Sequence, residues 1–200
     1  MRVRWLASVA PLLLSSLIAS CSSGGHEGPR DSVFQNHQVG VSVTVPPGWH
    51  AATGPFTGLQ DPRERLVLTS FPLEGTPRSR GCSPNGLLRE LPRSGVAAEL
   101  LEYMHTGARR NFPRRPEHFR LRPSDGTGFD CFSPQPIGGA QLFNFGEAGR
   151  AFNLLVAIGK NASPETRHAA ERAFGSLRIE QCDLPLPTET DPTCQRPLPH

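Results

Sequence analysis

The chain has 200 residues, of which 21 are proline and 20 are glycine, and apolar residues make up 36%. This composition excludes a polytopic membrane protein, which needs several apolar runs of about 20 residues, and a long coiled coil, which does not tolerate so much proline. The formal net charge is +3, and it falls to +1 if Arg2 and Arg4 leave with a cleaved leader. A near-neutral domain has no global field that attracts nucleic acid, so we expect no nucleic-acid partner.

The first residues have the pattern of an export signal. Arg2 and Arg4 form a short positive region, and residues 5–18 form an interrupted apolar stretch that is too short to span a bilayer. The stretch ends in Leu-Ile-Ala-Ser-Cys at residues 17–21, which resembles the bacterial lipobox. The alternative is an ordinary signal peptide with a chance cysteine at its cleavage point.

The lipobox resemblance implies a bacterial lipoprotein. Residues 1–20 are then a signal peptide, and a diacylglycerol is attached to the sulfur of Cys21. Two or more acyl chains, palmitate among them, anchor a protein stably in a membrane, whereas one chain does not. We therefore expect an extracytoplasmic protein anchored to the cell membrane. Where the cell has two membranes we expect the outer one, because Ser22, and not the aspartate that favours inner-membrane retention, follows the cysteine.

The cysteine count agrees with a lipid on Cys21. The chain has five cysteines, and an odd number in an exported protein calls for an explanation. Lipidation leaves four, which can pair in an oxidising compartment in three ways. We favour Cys82–Cys131 and Cys182–Cys194, because the first pair lies within the folded region and the second within the tail. No CxxC spacing indicates zinc, so we expect no metal.

Composition divides the remaining chain into three parts. Residues 21–39 are rich in serine, glycine and charge, which predicts a flexible tether between the lipid and the domain. Five prolines after Cys182 predict an extended C-terminal tail over 181–200. The domain then covers 40–180, which is long enough to bury a core.

Within the domain, apolar runs predict mostly strands. Residues 41–45 alternate strictly, and residues 151–158 are apolar on both faces, which indicates a central strand covered on both sides. A four-residue turn at 146–149 makes 141–145 and 151–158 an antiparallel hairpin. Further strands are expected at 66–71, at 97–104 (where a helix is the alternative), at 119–121 and at 129–132.

Serine followed by proline predicts two helix starts, at Ser83 and at Ser163. The second helix, 164–176, has alanine, phenylalanine and leucine at helical spacing. Residues 177–179 fit either a last turn or a final strand. The sequence therefore predicts the α+β class, an antiparallel sheet with one or two helices packed on it.

Two ends of the domain resemble the PsbP-like fold. The run Val41–Trp49, an alternating strand followed by Pro-Pro-Gly-Trp, is similar to its opening, and Gly149–Phe152 with the serine-capped helix is similar to its end. An extrinsic photosystem protein, a Ran-binding import factor and many exported bacterial proteins share that fold. The resemblance implies an α+β domain with Trp49 packed under the sheet, and it implies no activity.

The densest functional feature is a run of arginines. Such a run can bind an anionic polymer, lipid head groups or phosphate, and the alternative is a solvated loop beside two strands. Only Glu117 supplies a local counter-charge, and His118 lies within the run. The candidate anion-binding residues are Arg109, Arg110, Arg114, Arg115, Arg120 and Arg122.

Catalytic motifs are missing from the sequence. The seven histidines form no HExxH, and no GxSxG or phosphate-binding glycine loop occurs. We therefore expect no catalytic residue and no cofactor. The sequence favours a lipid-anchored binding or assembly module of the cell envelope, with a protein or an anionic polymer as its partner. The alternative is an envelope hydrolase whose site is built from scattered residues.

Overall fold

A computed structural model of the chain describes residues 30–54, 56–59, 61–74, 85–104, 111–122 and 137–181. Several features of the sequence prediction lie outside these ranges. They are the predicted lipobox, all five cysteines with both favoured disulfides, Arg109, Arg110, residues 129–132 and the tail beyond residue 181. Among the described residues, no helix has the length and apolar character needed to cross a membrane.

The described residues form two antiparallel sheets and two helices. The strands are β1 (Ser32–Asn36), β2 (Val41–Val45), β3 (His50–Ala52), β4 (Arg63–Thr69), β5 (Val96–Tyr103), β6 (Ile137–Glu147), β7 (Arg150–Gly159) and β8 (Arg178–Ile179). The helices are α1 (Asn85–Glu90) and α2 (Pro164–Ser176). One sheet has the order β1-β2-β8, and the other has the order β3-β4-β5-β7-β6. The predicted α+β class is confirmed.

Strand β2 forms because its valines alternate with polar residues. Val41, Val43 and Val45 are buried, whereas Ser42 and Thr44 are half-buried on the other side. A turn with a hydrogen bond from the Trp49 amide to the Pro46 carbonyl (3.0 Å) ends the strand. The indole of Trp49 then packs, half-buried, against the main core. The alternating strand and the packing of Trp49 follow the sequence prediction.

The hairpin β6–β7 is tighter than the sequence predicted. Glu147 pairs with Arg150, so the turn contains only Ala148 and Gly149. Both residues have positive φ, 52° and 73°, as a two-residue type I′ turn requires. Strand β7 is buried along its whole length, as expected for a strand covered on both sides.

Helix α2 begins where serine and proline predicted. The Ser163 hydroxyl accepts a hydrogen bond from the Thr166 amide at 3.2 Å, and Pro164 occupies the first turn. Its buried face, which carries Ala170, Ala173 and Phe174, shares the main core with β2 and one face of the five-stranded sheet. On the opposite face of that sheet, Leu87 of α1 joins a smaller apolar cluster.

The structure decides two alternatives that the sequence left open, and it corrects two predicted strands. Residues 96–103 are a strand and not a helix, because β5 pairs with β4 and β7 on its two sides. Residues 178–179 form β8, which pairs with β2. The strand predicted at 66–71 covers Arg63–Thr69. Residues 119–121, where a strand was predicted, form no strand.

The predicted tether at 21–39 is wrong for part of its length. Ser32–Asn36 forms β1, which pairs antiparallel with β2 from Ser32↔Val45 to Asn36↔Val41. Composition did not reveal this strand because it buries little: Val33 is 72% exposed, and only Phe34 packs on the core. Backbone hydrogen bonds to β2, and not apolar burial, hold the strand in place.

A buried ion cluster ties the two sheets together. The carboxylate of Glu102 accepts two hydrogen bonds from Arg150, both 2.7 Å, and one of 2.7 Å from Nε of Arg65. Arg150 also donates to the carbonyl of Glu180, next to β8, at 3.2 Å. Burial raises the pKa of Glu102, but the two arginines outweigh burial and hold it below the ordinary value.

Removal of this carboxylate charge leaves two guanidinium groups buried without compensation. We expect Glu102→Gln to lower the free energy of unfolding by about 3–5 kcal/mol, the usual cost of breaking a buried ion pair. Urea unfolding followed by tryptophan fluorescence measures the loss. The exposed Glu74→Gln is the matched control, and its stability should stay within about 0.5 kcal/mol of wild type. An equal stability of the two variants would contradict the role of the cluster.

Candidate functional site

The basic segment, residues 111–122, lies against helix α2, and its last five residues, 118–122, alternate between exposed and buried side chains. Phe119 and Leu121 are 2% and 7% exposed, whereas His118, Arg120 and Arg122 face solvent. The ring of Phe119 makes edge-on contacts with aromatic rings of β6 and α2. The ring-centre distances are 5.3 Å to Phe143, 5.7 Å to Phe145 and 6.0 Å to Phe174. These contacts fix which side of the segment carries its charges.

The segment meets strand β6 at its start, where the Pro113 carbonyl accepts from the Gly146 amide at 2.6 Å. At residues 121–122, side chains and not a neighbouring strand satisfy the backbone amides. The amide of Leu121 donates to Oε1 of Glu171 at 2.6 Å, and the amide of Arg122 donates to Oε1 of Gln141 at 2.9 Å. The alternation that predicted a strand at 119–121 therefore exists. The strand itself does not, because the hydrogen-bond partners come from a helix and from a glutamine side chain.

Arg115 is committed to the fold and not to a ligand. Its guanidinium donates to the carbonyls of Phe174 (2.7 Å) and Gly175 (3.2 Å) in the last turn of α2. It also donates to the carbonyl of Leu177, the residue that caps the helix. It also pairs with Glu147 at 3.0 Å, and its side chain is only 17% exposed. We therefore remove Arg115 from the anion-binding set that the sequence suggested.

A cavity of about 770 Å³ opens between the basic segment and α2. It brings together two arginines of the predicted set, Arg120 and Arg122, and it adds Arg172 from the helix. Arg114 is exposed but does not line the cavity. The lining residues are His118, Phe119, Arg120, Leu121, Arg122, His168, Glu171, Arg172 and Gly175.

Sequence reasoning missed the helical wall of this cavity. His168 and Arg172 are four residues apart, which places them on one face of α2, and Glu171 lies three residues after His168. That spacing was readable from the sequence. What was not readable was that the basic segment would lie against this face of the helix.

Positive charge is in excess in the cavity. The one carboxylate among its described lining residues, Glu171, already accepts from the Leu121 amide and lies 2.9 Å from Nδ1 of His168. Burial raises the pKa of Glu171, but the Leu121 amide, His168 and Arg120 outweigh that effect and lower it. The guanidinium groups of Arg120, Arg122 and Arg172 form no hydrogen bond or ion pair within the part of the chain that the structure describes. The arrangement favours a negatively charged ligand.

A second cluster of charged groups lies on the opposite face of the five-stranded sheet. Glu99 of β5 is 1% exposed, and neither of its carboxyl oxygens meets an N–H or hydroxyl donor. Its neighbour is Glu64 of β4, which accepts one hydrogen bond from the Phe56 amide at 3.0 Å. Burial, and then the adjacent Glu64, raise the pKa of Glu99 well above its ordinary value. The raised pKa favours the protonated form of Glu99, which can donate to an oxygen of Glu64, a carboxyl group whose own pKa is also raised by burial.

The carboxyl pair was also missed, since Glu99 stands in a run that fitted helix as well as strand. Paired carboxyl groups serve as acid and base in hydrolases. Glu99 is too deeply buried for a substrate to reach its oxygens. The pair therefore affects the stability of the fold, and it makes that stability depend on pH.

The raised pKa makes Glu99 stabilising when protonated. Its contribution is complete below the ordinary glutamate value of 4.5 and is lost as the pH rises towards the folded-state pKa. Glu99→Gln keeps a donor at every pH. We therefore expect the stability of this variant relative to wild type to grow with pH above 4.5, by at most about 1.4 kcal/mol per pH unit. Urea unfolding between pH 5 and pH 8 measures this difference, and a difference independent of pH would contradict the shared proton.

Metal ligands are not clustered in the described ranges, where no three histidine, cysteine, aspartate or glutamate residues are placed to hold an ion. Comparison of the chain with protein-family models, with curated proteins and with solved structures gave no match. The geometry of the chain itself therefore carries the functional argument.

Proposed function

We propose that this chain is a lipid-anchored binding module of the bacterial cell envelope, and that the cationic cavity holds an anionic group of its partner. The cavity is the single observation that carries the proposal. It gathers three arginines without a partner in the described residues, while its only carboxylate is occupied by the Leu121 amide and His168. Such an excess of guanidinium groups on one surface is typical of a site for phosphate or carboxylate groups.

The domain is suited to binding beside a membrane. The lipobox at residues 17–21 supports a covalent anchor on Cys21. Three features support a PsbP-like domain. They are the alternating strand β2, the packing of Trp49 on the core, and the hairpin β6–β7 followed by α2. That fold carries no chemistry of its own, so binding, and not catalysis, is the function that these features favour.

The anchor has a direct test in the native protein. We expect the mature N-terminal peptide, released by protease from the chain purified from its own membrane, to begin at Cys21 and to carry the mass of a diacylglycerol and further acyl groups. Mass spectrometry of that peptide gives the answer. A peptide that begins at Met1, or one whose cysteine is an unmodified thiol, would refute the anchor.

Anion binding by the cavity can be tested with two double variants that each lose two positive charges. The double variant Arg120→Gln/Arg122→Gln removes two arginines from the cavity. The double variant Arg93→Gln/Arg178→Gln removes two exposed arginines outside it. We expect the full-length wild type and the second variant, in a nonionic detergent, to be retained on immobilised dextran sulfate at low salt. The first variant should elute at a clearly lower salt concentration, because its site has lost its charge.

The control variant decides the outcome of this test. Both double variants lower the net charge of the chain equally, so a loss of retention that came from net charge alone would appear in both. Equal elution of the two double variants would show that the cavity is not the anion site.

A further inference from the structure

The described side chains give the cavity an excess of positive charge. Arg120, Arg122 and Arg172 supply three positive charges, and Glu171 supplies one negative charge. Among these described groups, the arginines exceed the carboxylate by two positive charges, which a ligand can neutralise. A single carboxylate leaves one of them uncompensated, whereas a doubly charged group balances both.

The positions of the arginines fit one compact group with several oxygens. Arg120 and Arg122 are two residues apart on an extended segment, and Phe119 and Leu121 face the core, so the arginines leave the backbone on the same side, with Cα atoms about 6.5–7 Å apart. Arg172 approaches from α2, the other wall of the cavity. Arginines that line one cavity from two walls suit a tetrahedral oxyanion, which presents oxygens in several directions, better than a planar carboxylate.

Charged side chains, more than apolar ones, are available to contact a ligand in the cavity. The apolar members of the lining, Phe119 and Leu121, are almost fully buried and offer a ligand little surface. The charged side chains therefore carry the recognition. The cavity volume of about 770 Å³ is much larger than a phosphate ion needs and lies in the range of sites for organic ligands.

We propose that the cavity recognises a doubly charged phosphate group on an organic ligand, with Arg120 and Arg122 holding it from one wall and Arg172 from the other. This inference rests on the proposed function and narrows it from anions in general to phosphate esters. The phosphate group belongs either to a lipid head group or to a soluble phosphate compound. Both sources present the same chemistry to the arginines.

The test compares three small anions on the full-length chain in a nonionic detergent at constant ionic strength and pH 8. Inorganic phosphate is a tetrahedral dianion there, malonate is a dianion built from two carboxylates, and acetate is a single carboxylate. Isothermal titration should give phosphate an affinity at least about tenfold above that of malonate and of acetate, the factor that one charge-assisted hydrogen bond produces. Arg120→Gln/Arg122→Gln should lose at least about tenfold in phosphate affinity, and Arg93→Gln/Arg178→Gln should lose none.

Flotation with vesicles then distinguishes the source of the phosphate. The Cys21→Ser chain, which cannot carry the proposed lipid, is floated with vesicles of phosphatidylcholine and phosphatidic acid and with vesicles of phosphatidylcholine alone. Attachment through the anchor then does not mask binding by the cavity. Binding to the first kind that depends on Arg120 and Arg122 assigns a lipid phosphate. Phosphate binding by titration without such flotation assigns a soluble ligand, and either result supports the inference.

Two results are unfavourable, and they differ in what they refute. If malonate or acetate binds as tightly as phosphate and loses affinity in the cavity variant, the anion site stands and the preference for phosphate is wrong. If no anion binds, or if the two double variants bind equally, the cavity is not an anion site, and the proposed function fails with the inference.

Discussion

The guanidinium of Arg115 fixes the geometry on which the candidate site depends. It joins three carbonyls at the end of α2 to the carboxylate of Glu147 at the end of β6. It also lies over the ring of Phe119, 5.4 Å from the ring centre. The start of the basic segment is thereby attached to the helix and to the sheet at once. Together with the Phe119–Phe174 ring contact and the hydrogen bond from the Leu121 amide to Glu171, this attachment holds the exposed arginines opposite α2.

Arginine has three different roles in this small domain, and its surroundings decide which. Arg65 and Arg150 are buried around Glu102 and join the two sheets. Arg115 is partly buried and caps a helix. Arg120, Arg122 and Arg172 are exposed on a cavity and meet no acceptor among the described residues. Of these three groups, only the third has guanidinium groups without an acceptor among the described residues. Of the six predicted arginines, Arg120 and Arg122 line the cavity, Arg114 and Arg115 do not, and Arg109 and Arg110 lie outside the described residues.

Much of the fold could be predicted from the sequence because its signals are local. The strict alternation of residues 41–45 and the Ser163–Pro164 helix start each specify one conformation through their own residues. Strand β1 could not be found in this way, because it is held by a partner strand and buries almost nothing.

The candidate site was less predictable because, like β1, it depends on contacts between distant parts of the chain. Arg120 and Arg122 stood out as charges, but their wall partner Arg172 comes from a helix 50 residues away along the chain from Arg122. The hydrogen bond from Leu121 to Glu171 brings the two walls together. Likewise, the pairing of Glu64 with Glu99 depends on the register of β4 against β5, which neither strand specifies alone.

The most direct test of the account is to observe where an anion binds. Titration of inorganic phosphate into the ¹⁵N-labelled full-length chain in detergent micelles, followed by amide NMR shifts, reports the position without any substitution. The account predicts saturable shifts confined to residues 118–122 and 168–175, with the Leu121 and Arg122 amides among the largest. Shifts that are absent there, or that are centred on another part of the chain, would contradict it.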